Sequence, residues 1–242
     1  MTGEIDDSKL LDFESIYLRL RQQEGRLYTD QELERLPMIN RQHPHYNEWM
    51  KRRRSTIKLV QYVEKNKKGS DILEIGCGNG WLSRQLASVT GTRVIGVDIN
   101  YMELQQAAKV FHYIPNLHFI YTDIRNEPFR EKKFDLVVFA ASIQYFESLP
   151  EILDNVLKLL KPGGEIHILD SPFYTPTEIL AAKQRSRAYY EQAGFPAMTS
   201  CYFHHSLTEL CDYQPEILFD PNGWINQLQF SKNPFHWIRI RK

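Results

Sequence analysis

The stretch DILEIGCGNGWLSRQLA, residues 71–87, restricts the fold more than any other part of the chain. A short apolar run, 71–75, enters three alternate glycines, Gly76, Gly78 and Gly80. A helical segment then leaves them with Leu82, Leu86 and Val89 on one face and Gly91 as its stop. Glycines at a strand-to-helix turn allow positive φ and let a ligand approach the backbone closely. Their spacing narrows the ligand. A dinucleotide turn reads G-x-G-x-x-G and needs a small residue at position 81, where the pyrophosphate rests on the helix N-terminus. Trp81 stands there and would obstruct it.

The same alternation of apolar runs and helical stretches continues to Asp170. RVIGV (93–97) precedes a helix carrying Met102, Ala107 and Val110, and LHFIY (117–121) leads to a Pro-containing loop. FDLVVFA (134–140) is almost wholly apolar, as a strand buried on both faces must be. Ser148, with Glu151 three residues later and Pro150 in the first turn, predicts a helix start before the stripe Leu149, Ile152, Leu153, Val156 and Leu160. KPGG (161–164) ends it, and GEIHILD (164–170) is the fifth strand. Five strands separated by helices predict a doubly wound, mostly parallel α/β sheet. Before it, residues 1–69 read as helices, clearest over 46–65, where Tyr46, Trp49, Ile57, Val60 and Val63 share a face. After it the periodicity loosens. A helix near 177–192 and strands near 198–203 and 236–240 are expected, while 204–234 carries no assignable pattern.

Glu74-Ile75-Gly76-Cys77-Gly78-Asn79-Gly80 resembles motif I, E-x-G-x-G-x-G, of the class I (Rossmann-like) S-adenosylmethionine-dependent methyltransferases. FDLVVFAASIQYF and LLKPGGEIHIL resemble two later motifs of that family, so the resemblance covers about residues 70–170. It implies a seven-stranded sheet with an N-terminal helical cap over 1–69 and a catalytic domain over 70–242, of which 171–234 lies on the substrate side. It also implies S-adenosylmethionine as cofactor and S-adenosylhomocysteine as product. In the family the glycine turn wraps the methionine arm, so Gly76, Cys77, Gly78 and Asn79 are expected there, with Glu74 beneath the loop. Asp98, ending the second strand, matches the acid that binds the ribose hydroxyls, the geometry of nucleotide folds generally. Ile99 would pack on the adenine. Asp123 would accept from the adenine amine and Ile124 would donate through its backbone. Ala140 and Ser142, at the end of strand four, complete the expected cofactor set.

Composition limits the acceptor. The 242 residues carry 30 Lys plus Arg against 30 Asp plus Glu, without the positive excess of a domain that tracks a phosphate backbone. Nucleic acid is therefore disfavoured as a partner, although the run Lys51–Arg54 keeps an RNA or protein acceptor as the alternative. A non-catalytic module that keeps the fold is the second alternative, and the full set of site residues argues against it. Cys77, Cys201 and Cys211 lack zinc spacing, so no metal is expected. The acidic N-terminus is unlike a signal peptide, and no apolar run approaches the ~20 residues of a membrane helix. A cytoplasmic enzyme with a small, partly apolar acceptor at O, N or C follows. The sequence does not specify the oligomeric state.

Methyl transfer needs alignment and water exclusion more than a dedicated catalytic group. If the nucleophile must lose a proton, His204, His205 and Tyr145 are the candidates for the base. No [Asn/Asp]-Pro-Pro-aromatic motif follows strand four, so a nucleobase amine is not the expected target. Asp170-Ser171-Pro172-Phe173 reads as a turn. Arg53 falls within the apolar stripe of the third predicted helix and needs a counter-charge, either an acid on the sheet domain or the methionine carboxylate of the cofactor.

Overall fold

The computed structural model describes residues 7–129, 133–223 and 232–242, and side chains from Phe13 onward. Three helices open the chain: α1 (Asp7–Gln23), α2 (Asp30–Arg35) and α3 (Tyr46–Asn66). The alternating body follows as β1 (Asp71–Ile75), α4 (Trp81–Ala87), β2 (Arg93–Asp98), α5 (Tyr101–Val110), β3 (Leu117–Tyr121), β4 (Phe134–Ala140), α6 (Leu149–Leu159) and β5 (Leu160–Leu169). A two-residue strand β6 (Phe173–Tyr174), helix α7 (Ile179–Ala193), β7 (His205–Ser206), β8 (Glu216–Phe219) and β9 (Trp237–Arg241) complete it.

The main sheet has seven strands in the order β3-β2-β1-β4-β5-β9-β8. β1 to β5 pair in parallel, while β9 runs antiparallel to both β5 and β8. The expected doubly wound, mostly parallel seven-stranded sheet is present. The strand order reverses between β1 and β4, so a crevice opens at the carboxyl ends of these strands, where such sheets take ligands. Two apolar layers flank the sheet. One gathers Leu59, Val63, Ile72, Leu82, Leu86 and Phe111; the other gathers Leu73, Val137, Phe139, Ile152, Leu153 and Ile166.

Most local expectations survive. Ser148 accepts from the Glu151 backbone N–H and starts α6, with Pro150 in the first turn. Three do not. Residues 196–201 form a 3-10 turn rather than a strand: Gly194, at φ 84°, ends α7, Pro196 opens the turn, and Met198 is tucked against Leu20 and Tyr190. α4 ends at Ala87, and Gly91 belongs to the following turn. The buried face of α3 is rotated toward Arg52. Trp49, Ser55, Thr56, Leu59 and Val63 are buried, whereas Ile57 is 44% exposed. The stripe shifts because Ser55 has a buried acceptor, the Asp170 carboxylate at 2.8 Å. Small polar residues can therefore face the sheet domain.

Candidate active site

The carboxyl ends of β1, β2 and β4 border a crevice of two adjoining lobes. The first lobe is lined by Asp98, Ile99, Asp123, Ile124 and Ser142. Glu74, Cys77, Asn79 and Ala140 line the second. Gly76 and Gly78 line both, together with Tyr17, Glu103, Ala141 and Tyr145. These shared residues mark the junction of the lobes. Every residue expected at the cofactor therefore borders this crevice.

The turn is held by its own geometry. Gly76, Gly78 and Gly80 have φ of 73°, 51° and 72°. A Cβ on Gly76 would lie 2.5 Å from Ser142 Cβ, so the two strand ends can meet only through a glycine. Ser142 Oγ donates to the Ile75 carbonyl at 2.6 Å and locks β4 to β1 at this point. Asp98 accepts from the backbone N–H of Gly78 at 2.6 Å and of Asn100 at 2.8 Å. Burial pushes its carboxyl up despite these bonds. Glu74 accepts from Ser83 Oγ at 2.5 Å, and burial drives it to about 8. Beneath the loop, Glu74 is thus an uncharged group at neutral pH.

Asp123 is buried and clamped by Arg125, whose Nε lies 3.0 Å from each carboxylate oxygen. Trp81 is not idle: its ring stands edge-on to Trp49 of α3 at 5.0 Å and walls the second lobe. Trp81 therefore also packs α3 against the start of α4.

Among the base candidates, only Tyr145 lines the crevice. Its ring meets Tyr17 at 5.8 Å and Tyr202 at 5.8 Å, both edge-on. Burial raises its hydroxyl well above the usual range. His204 instead shares a hydrogen bond with Ser186 at 2.8 Å, and His205 lies 3.7 Å from Glu209. Neither histidine borders either lobe. Arg53 does not border them either; Arg52, one position earlier, does. Asp170 adopts φ 54°, is buried, and is driven to about 6 by burial. The turn at 170 thus ties α3 to the end of β5.

Sequence reasoning missed Arg21, Arg26 and Glu103. Glu103, in the first turn of α5, is carried to the junction because Asn100 caps that helix and also donates to its carboxylate at 3.1 Å. Arg21 follows Tyr17 by one turn on α1, a spacing visible in sequence but without an apolar stripe to orient it. Among the described residues no three His, Cys, Asp or Glu side chains are grouped for a metal, and no helix is long and apolar enough to cross a membrane. The three cysteines are free.

Residues 72–164 match a family model described as a methyltransferase domain. The chain is similar to a malonyl-[acyl-carrier protein] O-methyltransferase of Ilyobacter polytropus, 33% identical over 45% of this chain and 41% of that protein. It is also similar to a phthiotriol/phenolphthiotriol dimycocerosates methyltransferase of Mycobacterium leprae, 32% identical over 43% of this chain and 39% of the relative. The chain thus spans about two fifths of the length of these curated relatives. In fold it is similar to the geranyl diphosphate C-methyltransferase of Streptomyces coelicolor, solved with Mg2+, geranyl diphosphate and S-adenosyl-L-homocysteine. The TM-score is 0.56 and the identity 15%, over 86% of this chain and 88% of that one.

Proposed function

We propose that this chain, whose residues 72–164 match the methyltransferase-domain family and whose sheet has the class I methyltransferase order, is an S-adenosylmethionine-dependent methyltransferase acting on a small-molecule acceptor. The observation that carries the reading is the coincidence at one crevice of the glycine turn, Asp98 and Asp123 at three successive strand ends. The residues present also fit the cofactor chemically. A carboxylate at the end of β2, fixed by two backbone N–H groups, stands where ribose hydroxyls can donate to it, and the positive-φ glycine turn beside it leaves its backbone open to close approach.

In this reading the adenosine arm takes the first lobe, with Asp98 on the ribose and Ile99 and Ile124 against the adenine. Asp123 receives the adenine amine, for which Arg125 must share or yield an oxygen. The amino-acid arm takes the second lobe along Gly76, Cys77, Gly78 and Asn79, above Glu74, with Ala140 and Ser142 at the strand-four wall. When bound, the cofactor supplies an electrophilic methyl on a sulfonium, which a nucleophile displaces in line, leaving a thioether. The protein's part is orientation and exclusion of water. The helices within residues 7–69 serve as the cap, residues 1–6 of the expected segment lying outside the described residues: Phe13 and Tyr17 of α1 and Trp49 and Arg52 of α3 wall the crevice. The elements within 171–223 serve the acceptor side, where Tyr202 meets Tyr145, and residues 224–231 of the expected segment lie outside the described residues. Tyr17 and Tyr145 fence the junction.

Calorimetric titration of S-adenosylmethionine, beside Asp98→Ala and with NADH as control, tests the reading. Saturable binding, much weakened in the variant and absent for NADH, is the expected result. Folded protein that does not bind S-adenosylmethionine would overturn it.

A further inference from the structure

The second lobe is lined by the carboxyl groups of Glu48, Glu74 and Glu103 and by three arginines, Arg21, Arg26 and Arg52. The pairing of the arginines is unequal. Arg26 is held between Glu24 at 3.0 Å and Glu48 at 2.6 Å. Arg52 pairs with Glu48 at 3.1 Å and lies 5.6 Å from the Trp49 ring, on the side where Trp49 meets Trp81 at the end of the glycine turn. Arg52 thus stands beside the Trp49–Trp81 pair that walls this lobe. Arg21 differs. Its ion pair with Glu24 is long, at 3.7 Å, and its Nε is buried with no hydrogen-bond partner among the described residues. Its guanidinium sits 5.6 Å from the Tyr17 ring, beside the junction that Tyr17, Tyr145 and Glu103 border. The side chain of Gln144, 6% exposed in the same lobe, spends its amide N–H on the Ala141 carbonyl at 2.6 Å and leaves Oε1 unpaired.

We propose that Arg21 is the specificity-determining residue for the acceptor, holding a carboxylate or phosphate group of that molecule, while Gln144 Oε1 accepts from its N–H or O–H. The proposal rests on the methyltransferase reading above. An anion satisfies the planar guanidinium with short, charge-assisted bonds. A purely apolar acceptor would leave two buried polar atoms unpaired, which is the strongest form of discrimination a site can build. The acceptor is therefore a small anion with a hydrogen-bonding nucleophile rather than a hydrocarbon-like molecule.

The probe is inorganic phosphate, added at constant ionic strength to protein saturated with either S-adenosylhomocysteine or 5′-methylthioadenosine, which lacks the amino-acid arm, with binding read by calorimetry. Saturable phosphate binding to both loaded forms of the wild type is expected. Arg21→Gln should lower that affinity about tenfold or more while leaving S-adenosylhomocysteine affinity unchanged, since charged hydrogen bonds carry about that much. Arg187→Gln, on the exposed face of α7, should change neither. Phosphate bound only by the 5′-methylthioadenosine form would assign Arg21 to the carboxylate of the cofactor and overturn the proposal. Absence of phosphate binding to the S-adenosylhomocysteine form overturns it too, and needs no variant to fold. Failure of S-adenosylhomocysteine itself to bind would overturn the cofactor reading instead, so the two failures are distinct.

Discussion

Glu74 is 2% exposed in the central strand β1, and replacing it with glutamine isolates its proton. Burial, reinforced by the charge of Asp98 and partly offset by the Ser83 hydroxyl, moves its carboxyl from 4.5 to about 8. Between these pH values the folded protein keeps a proton that the unfolded chain releases. Stability from this group is therefore full below 4.5 and falls as pH rises, by about 1.4 kcal/mol per pH unit, until about pH 8. Glutamine keeps the shape and an acceptor for Ser83 Oγ but has no proton to lose. The stability of the wild type minus that of Glu74→Gln should thus decline by about 4 kcal/mol from pH 5 to pH 8, to be read as an upper limit. Urea unfolding followed by tryptophan fluorescence at each pH measures the difference. Glu103 and Asp170, also raised by burial, titrate in both proteins and cancel. Parallel pH profiles for the two proteins would show that Glu74 is ionised in the fold, and the account of an uncharged group beneath the glycine turn would fail.

Asp98→Ala removes the acceptor of two backbone N–H groups as well as the proposed ribose ligand, so S-adenosylhomocysteine affinity should drop about tenfold or more in calorimetry. Gly76→Ala forces a Cβ to 2.5 Å from Ser142 Cβ at φ 73°, and should cost at least about 1–3 kcal/mol of stability in urea unfolding, with loss of cofactor binding. Far from the crevice, burial raises Glu165, but His167, Tyr62 and Lys67 overcome it and hold the carboxyl at about 2. The stability it contributes is present above 4.5 and lost as pH falls toward 2, and Glu165→Gln should cost about 3 kcal/mol at pH 7 because it leaves part of a buried ion-pair network uncompensated.

What the sequence made legible, and what it hid, divides along the range of the forces involved. The strands β1 to β4 are short apolar runs bounded by glycine, proline or charge, and the glycine turn fixes its own backbone, so local chemistry defines them. β8 was invisible because it is an edge strand with Glu216 and Ile217 largely exposed, and nothing in its pattern demands a buried face. α3 was legible as a helix but not in its azimuth. The buried face is chosen by Leu59 against the sheet domain and by Ser55 finding Asp170, a partner 115 positions away. That rotation moves Arg52 into the crevice and Arg53 out of it. The same reason hides Arg21, which reaches the crevice only because Phe13 and Tyr17 pack on Tyr145 across the junction. The residues expected at the cofactor lie where the strand ends put them and were readable. Arg21 and Arg52 are brought to the crevice by helices whose orientation is a tertiary property, so their place there is written in contacts between segments rather than within any one of them.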